Sequence, residues 1–241
     1  MSNFELQIEE LKKKIEELEA QKDQKNVYQY SKIRDLELRN IVDIEQNLDD
    51  TIFNNWLNNN ISLTEEVVLF LENILNKEKK YLSVYSEENL KMRFLSPILV
   101  HVDFKTDNFR DFYDEKLIYE AENFTLNGST DFLVSKGIRN AKKPYFFIQE
   151  FKRAEDYSNP RPQLLAELIS ATELNNWKTI KGAYIIGENW NFVILNRLEK
   201  HKYEYFVSRT FNSTNFEDLK GIYRNLLFVK EEIIEMVKRG E

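Results

Sequence analysis

Lys143-Pro144-Tyr145-Phe146-Phe147-Ile148-Gln149-Glu150-Phe151-Lys152-Arg153-Ala154 is an almost unbroken apolar run that acquires a carboxylate and an ammonium near its end. Aromatic and β-branched residues behind a proline, over so short a length, read as a buried strand rather than a helix. Side chains alternate along a strand, so Phe147, Gln149 and Phe151 share one face while Ile148, Glu150 and Lys152 share the other. Charges at the end of a buried strand cost free energy unless they are paired or bind an ion. Two explanations stand. One is a salt bridge at the strand's solvent end; the other is a metal site with Glu150 as an oxygen ligand and Lys152 as a point charge. The acid-x-Lys pattern recurs at Glu10/Lys12 and Asp218/Lys220, so the strand context, and not the tripeptide, carries the weight.

Upstream, Asn127-Gly128-Ser129-Thr130-Asp131-Phe132-Leu133-Val134 combines a turn signal with a short strand over Asp131 to Val134. The polar segment from Gly137 to Lys143 returns the chain into the apolar run, and such a hairpin brings Asp131 beside Glu150. Two carboxylates and a lysine at one sheet edge form an oxygen-ligand set suited to Mg²⁺ or Mn²⁺.

In this order the motifs resemble the PD-(D/E)xK nuclease superfamily: Gly128-x-x-Asp131-Phe132, then Glu150-Phe151-Lys152, then Gln163. Ser86 to Leu99 looks like the opening helix of the N-terminal nuclease domain in type I restriction enzyme restriction subunits, and Gly182 to Phe192 looks like its late strand-turn-strand segment. The resemblance implies a restriction-endonuclease-like α/β core, a mixed central sheet flanked by helices. It implies Mg²⁺ or Mn²⁺ held by Asp131 and Glu150, with Lys152, Gln163 and Glu88 as further catalytic residues, and DNA as substrate. One departure is Glu167, which stands where many relatives carry a Tyr four residues after the Gln. A second is the absence from this sequence of a G-x-x-x-x-G-K-[S/T] phosphate loop, so the expectation is a stand-alone, defence-type nuclease without a translocase motor.

Composition bounds these expectations. A chain of 241 residues, 42% hydrophobic and 31% charged, buries a proper core. No cysteine is present and only two histidines, which excludes disulfides and thiolate chemistry and leaves oxygen ligands. No apolar run is long enough to cross a bilayer, and the expectation is a soluble, cytoplasmic protein. The net charge of −7 is uneven: residues 1–86 hold 11 Lys+Arg against 17 Asp+Glu, and the remainder 23 against 24. Lys136, Arg139, Lys142, Lys143, Arg153 and Arg161 are candidates for a phosphate-facing patch around the site; a solvated loop is the alternative.

Along the chain, Phe4, Ile8, Leu11, Ile15 and Leu18 follow a short heptad seam, which reads either as an amphipathic helix on the body or as a coiled coil for self-association or a helical partner. Ile33, Leu36, Ile41, Ile44 and Leu48 suggest a second helix. Ser62 to Glu65 fits a capping box for a helix to about Lys80. Ser86 caps the next helix, with a distortion expected at Pro97 and Glu88 in the first turn, where its plain role is to favour the helix N-terminus. Asp103 to Tyr113 reads as a loop, and Asn159-Pro160-Arg161-Pro162 as a turn before a helix opened by Gln163. Ala183 to Ile186, arriving after that helix, suggests a strand parallel to Tyr145–Lys152, with further strands at Phe192–Leu195 and Tyr203–Val207 and a closing helix over Leu219–Val237. The expected division is a helical extension over 1–82 and a nuclease-like domain over 83–241. A rival reading is an assembly or silent DNA-binding protein that acts through its N-terminal helices.

Overall fold

A computed structural model describes residues 25–153 and 159–240, together with Lys12 and Lys14. The heptad positions Phe4 to Leu18 lie outside the described residues. The fold is a mixed α/β one, a curled mixed sheet with helices on both faces.

Among the described residues, the sheet runs in the order β1 (Asn26–Gln29), β4 (Phe124–Lys136), β5 (Lys142–Lys152), β6 (Thr179–Ile186), β7 (Asn189–Glu199), β8 (Lys202–Val207) and β2 (Asp43–Gln46). β3 (Arg110–Glu120) pairs with β4, and the short β9 (Phe211–Asn212) with β7. β5 and β6 are parallel, linked through helix α4 (Pro160–Asn175), and β6, β7 and β8 form an antiparallel meander. The expected parallel pairing, the later strands and the closing helix, α5 (Phe216–Lys238), are all present.

Alternation along β5 sorts the sheet into two cores. Phe147 and Phe151, with Phe132, Ile185, Phe192 and Ile194, face helix α2 (Glu65–Glu78), helix α3 and α5. Helix α3 is built from the consecutive segments Glu87–Leu90, Lys91–Leu95 and Ser96–Val102. Ile148, Leu133, Val193 and Leu195 face α4, in which every residue from Gln163 to Thr172 is buried. A helix buried on all sides has to be wrapped, and the curl of the sheet wraps it.

The rest of the wrapping comes from the residues before the main sheet. β1 pairs in parallel with β4 at one end of the sheet, and β2 pairs in parallel with β8 at the other. Between them, a 3-10 turn at Tyr30–Lys32 and helix α1 (Asp35–Ile41) cross α4 as a strap. Tyr30 is fully buried and donates to Ser170 Oγ at 2.8 Å, and Arg161 reaches Asp35 at 2.9 Å. The helical expectation for Ile33 to Leu48 therefore holds only over Asp35–Ile41; Ile44 is buried as a strand residue paired with Tyr203. Period alone does not separate a short helix from the strand that follows it.

Several local expectations need correction. Asn127-Gly128 is not a turn but part of β4, because Gly128 lets the strand pass under the Tyr30 ring. With φ at +154°, a Cβ there would stand 2.6 Å from Tyr30 Cδ2. Asp103–Tyr113 is only partly a loop, since β3 starts at Arg110. Pro160 and Pro162 lie inside the first turn of α4, where an absent N–H breaks no intrahelical bond, and Asn159 Oδ1 caps the turn by accepting from Arg161 N–H at 2.9 Å. Ser86 caps as read, its Oγ accepting from Asn89 N–H at 3.2 Å, whereas α2 is capped not by Ser62 but by Thr64, whose Oγ1 accepts from Val67 N–H at 3.3 Å; the distortion expected at Pro97 lies just before it, as a wide π turn at Lys91–Leu95.

Replacing Gly128 with Ala tests the β4 crossing. We expect a loss of roughly 2–4 kcal/mol in urea unfolding, from the clash with Tyr30 and the unfavourable φ. A loss below about 0.5 kcal/mol, the usual range of a neutral surface change, would refute this account.

Candidate active site

The site lies where β4 forks. One edge of β4 pairs with β3 along nearly its whole length, and the other edge is shared, with β1 taking Phe124 to Asn127 and β5 taking Phe132 to Lys136. Pairing with β5 ends at Phe132↔Gln149, and beyond it β5 runs on with Glu150, Phe151 and Lys152. The ladder leaves the Phe151 N–H without a strand partner, and Asp131 Oδ2 accepts it at 2.8 Å. Sequence reading brought Asp131 and Glu150 together by a hairpin, and the β4–β5 pair is that hairpin.

Around the fork the charges interlock. Glu150 is 1% exposed; its Oε1 accepts from Lys152 Nζ, which also donates to the Phe151 carbonyl at 3.1 Å. Asp131 Oδ1 accepts from Lys91 Nζ at 2.6 Å. From α4, Gln163 Nε2 donates to Glu167 Oε1 at 3.1 Å, and Glu167 is fully buried. Glu150 Oε2 and Glu167 Oε2 are buried without a hydrogen-bond partner.

Burial, and then the charge of Asp131, push the Glu150 carboxyl well above its ordinary range, although Lys152 opposes the shift. Glu167 is pushed the same way by burial and then by Glu150. Burial pulls the two ammonium groups toward neutrality, yet the carboxylates outweigh it. Glu150 and then Asp131 raise Lys152, while Asp131 and then Glu87 raise Lys91.

Asp131, Glu150, Lys152 and Gln163 are thus brought to one place. Glu88 is not among them: it is exposed in the first turn of α3, and its carboxylate is held low by its own backbone N–H and Ser86. Its neighbour Glu87 is the acid that reaches inward, to Lys91 at 3.2 Å. Lys91, Glu87 and Glu167 were not singled out as site residues from the sequence. The legible signal was the Gln163-x-x-x-Glu167 spacing, which puts two polar groups on one face of an otherwise apolar helix.

The basic patch does not gather at the site. Lys136 pairs with Lys142 at the opposite end of β5, about 30 Å from Lys152 at 3.3 Å per residue. Arg161 is turned to Asp35 in the strap, leaving Arg153 as the exposed cation next to Lys152.

The donors suit a hard cation. Carboxylates, the Gln163 amide and the Phe151 carbonyl all offer oxygen, and the two unpartnered buried carboxylate oxygens have lone pairs to give. The histidines are engaged elsewhere, His101 with Tyr223 and His201 with Tyr119. Among the described residues no three acidic or histidine side chains stand grouped as a ready metal cage. Instead, two lysines supply the positive charge.

No family model matches the chain, and no curated protein shows significant similarity to it. The function must be argued from the site.

Glu167 gives a test of the buried carboxyl pair. Its raised folded-state pKa means that the native protein holds this proton above the unfolded value of about 4.3, so its contribution to stability falls as pH rises beyond that value. In EDTA, Glu167→Gln should be more stable than the parent at pH 8 by about 1–3 kcal/mol, with the gap closing toward pH 4. Chemical denaturation at both pH values checks this, and a gap independent of pH would refute it.

Proposed function

We propose that the protein is a Mg²⁺- or Mn²⁺-dependent phosphodiesterase acting on DNA, built on a restriction-endonuclease-like core. The observation that carries this reading is the convergence of Asp131, Glu150 and Lys152 at the β4 fork, with a buried carboxylate oxygen left unpartnered. A purely structural salt bridge has no use for a second and a third carboxyl beside it. The order of motifs that resembles the PD-(D/E)xK superfamily supports the same reading.

Asp131 and Glu150, with the Phe151 carbonyl, would hold the ion. When bound, the ion lowers the pKa of a water and neutralises charge on the scissile phosphate. The Phe151 N–H fixes Asp131 Oδ2, and Lys91 Nζ donates to Oδ1. Lys152, anchored by Glu150 and the Phe151 carbonyl, points its ammonium at the same region and donates to the attacking water or to a phosphoryl oxygen. Gln163 steadies Glu167 behind Glu150. Among the described residues no helix is long and apolar enough to cross a membrane.

Linear, supercoiled and single-stranded DNA, with RNA alongside, should be incubated with the protein in Mg²⁺, Mn²⁺ or EDTA. We expect cutting of DNA in either metal, none in EDTA, and a loss of about a hundredfold or more in Asp131→Asn and in Lys152→Ala. If nothing is cut and Mn²⁺ titration shows no binding that Asp131→Asn abolishes, the nuclease reading fails. A silent DNA-binding or assembly protein then takes its place.

A further inference from the structure

Lys91 has two carboxylates within reach, and only one of them belongs to the site. Its Nζ lies 2.6 Å from Asp131 Oδ1 and 3.2 Å from Glu87 Oε1, one helical turn back on α3. Asp131 therefore carries a donor on each oxygen. The first is the Phe151 N–H, fixed by the strand, and the second is an ammonium at the end of a flexible stem.

The surroundings favour movement of the ammonium in one direction. The Asp131 side chain is 12% exposed and that of Glu87 31%, so a shift from the first to the second carries the charge outward while keeping it paired. Lys91 opens the π turn of α3, a wide turn of the kind found at functional sites. Its ammonium also passes 5.9 Å from the centre of the Phe151 ring. A divalent ion on Asp131 Oδ1 and an ammonium on the same oxygen repel each other at contact distance in a partly buried setting, where screening is weak.

We infer that Lys91 is a built-in counter-ion that controls metal loading. Its ammonium holds the cation position at Asp131, is displaced when a divalent ion enters, and transfers to Glu87. The inference rests on the metal-site reading above. It assigns Glu87 a positioning role, that of receiving the displaced charge.

The test uses the full chain and Mn²⁺ alone, with no substrate. Calorimetric titration of Lys91→Met should show Mn²⁺ binding about tenfold tighter than in the parent, because the resident cation is gone. The parent protein itself provides the second measurement, so the result does not depend on the variant folding. Acetylation of Lys91 by an amine-reactive reagent, followed by mass spectrometry, should be slow without metal and severalfold faster once Mn²⁺ saturates the site. It should be faster still in Glu87→Gln, where the displaced ammonium finds no partner. Mn²⁺ binding with an unchanged or slower Lys91 reaction, or binding no tighter in a folded Lys91→Met, overturns this proposal alone. Absence of Mn²⁺ binding in both proteins overturns the metal-site reading and this proposal with it.

Discussion

The hydrogen bond from the Phe151 N–H to Asp131 Oδ2 stands where two strands part company. A buried backbone donor without a partner costs about 1–3 kcal/mol, and a strand that leaves its neighbour creates one at every other residue. Asp131 supplies an acceptor at that point and so lets β5 run past the end of its ladder with β4. Without such an acceptor the Phe151 N–H would be left unpaired, since over Glu150 to Lys152 β5 keeps its β6 partner but has lost β4. The same carboxylate that ends the pairing is the one that faces Lys91, so the architecture and the chemistry of the fork depend on a single side chain.

Charge inside the fork is held by opposition. Asp131 and Glu150 meet near the end of β5 with Glu167 of α4 behind Glu150, and each of the two lysines pairs with one of the first two. Burial alone would disfavour the ionised forms of Glu150, Glu167 and the two lysines; the pairing restores the ammoniums, while Glu150 and Glu167 remain pushed toward their neutral forms. A site of this kind is poor as a source of stability. Its presence within a well-packed sheet supports the metal-site reading proposed above.

Much of the fold was legible because the decisive segments are strongly patterned. The run from Tyr145 to Lys152 could be read face by face, since Phe147 and Phe151 do lie in one core and Ile148 in the other. The parallel partner after α4 followed from the order of elements. Other features were not legible, for physical reasons. Gly128 looked like a turn residue because a glycine serves equally for a turn and for close approach, and only the distant Tyr30 decides between them. The basic residues near Lys142 are close to Glu150 in sequence, yet an extended strand carries them to the far end of the sheet. Lys91 was invisible as a site residue because its partner Asp131 lies 40 positions away and nothing local distinguishes it from a solvent-facing lysine.

The strap across α4 joins the earliest described strands to partners made much later. Ile44 waits for Tyr203, and Tyr28 for Leu126. During synthesis the segment from Asn26 to Gln46 emerges long before β8 exists, so one end of the sheet can close only after most of the chain has left the ribosome. Until then the β2 end of the strap has no partner strand, and Ile44 lacks its pairing with Tyr203, although Tyr30 can already cover Ser170. The order in which the chain is made therefore sets the closing of the β2–β8 edge, and not the contact of Tyr30 with α4, among the last pairings that the sheet can form.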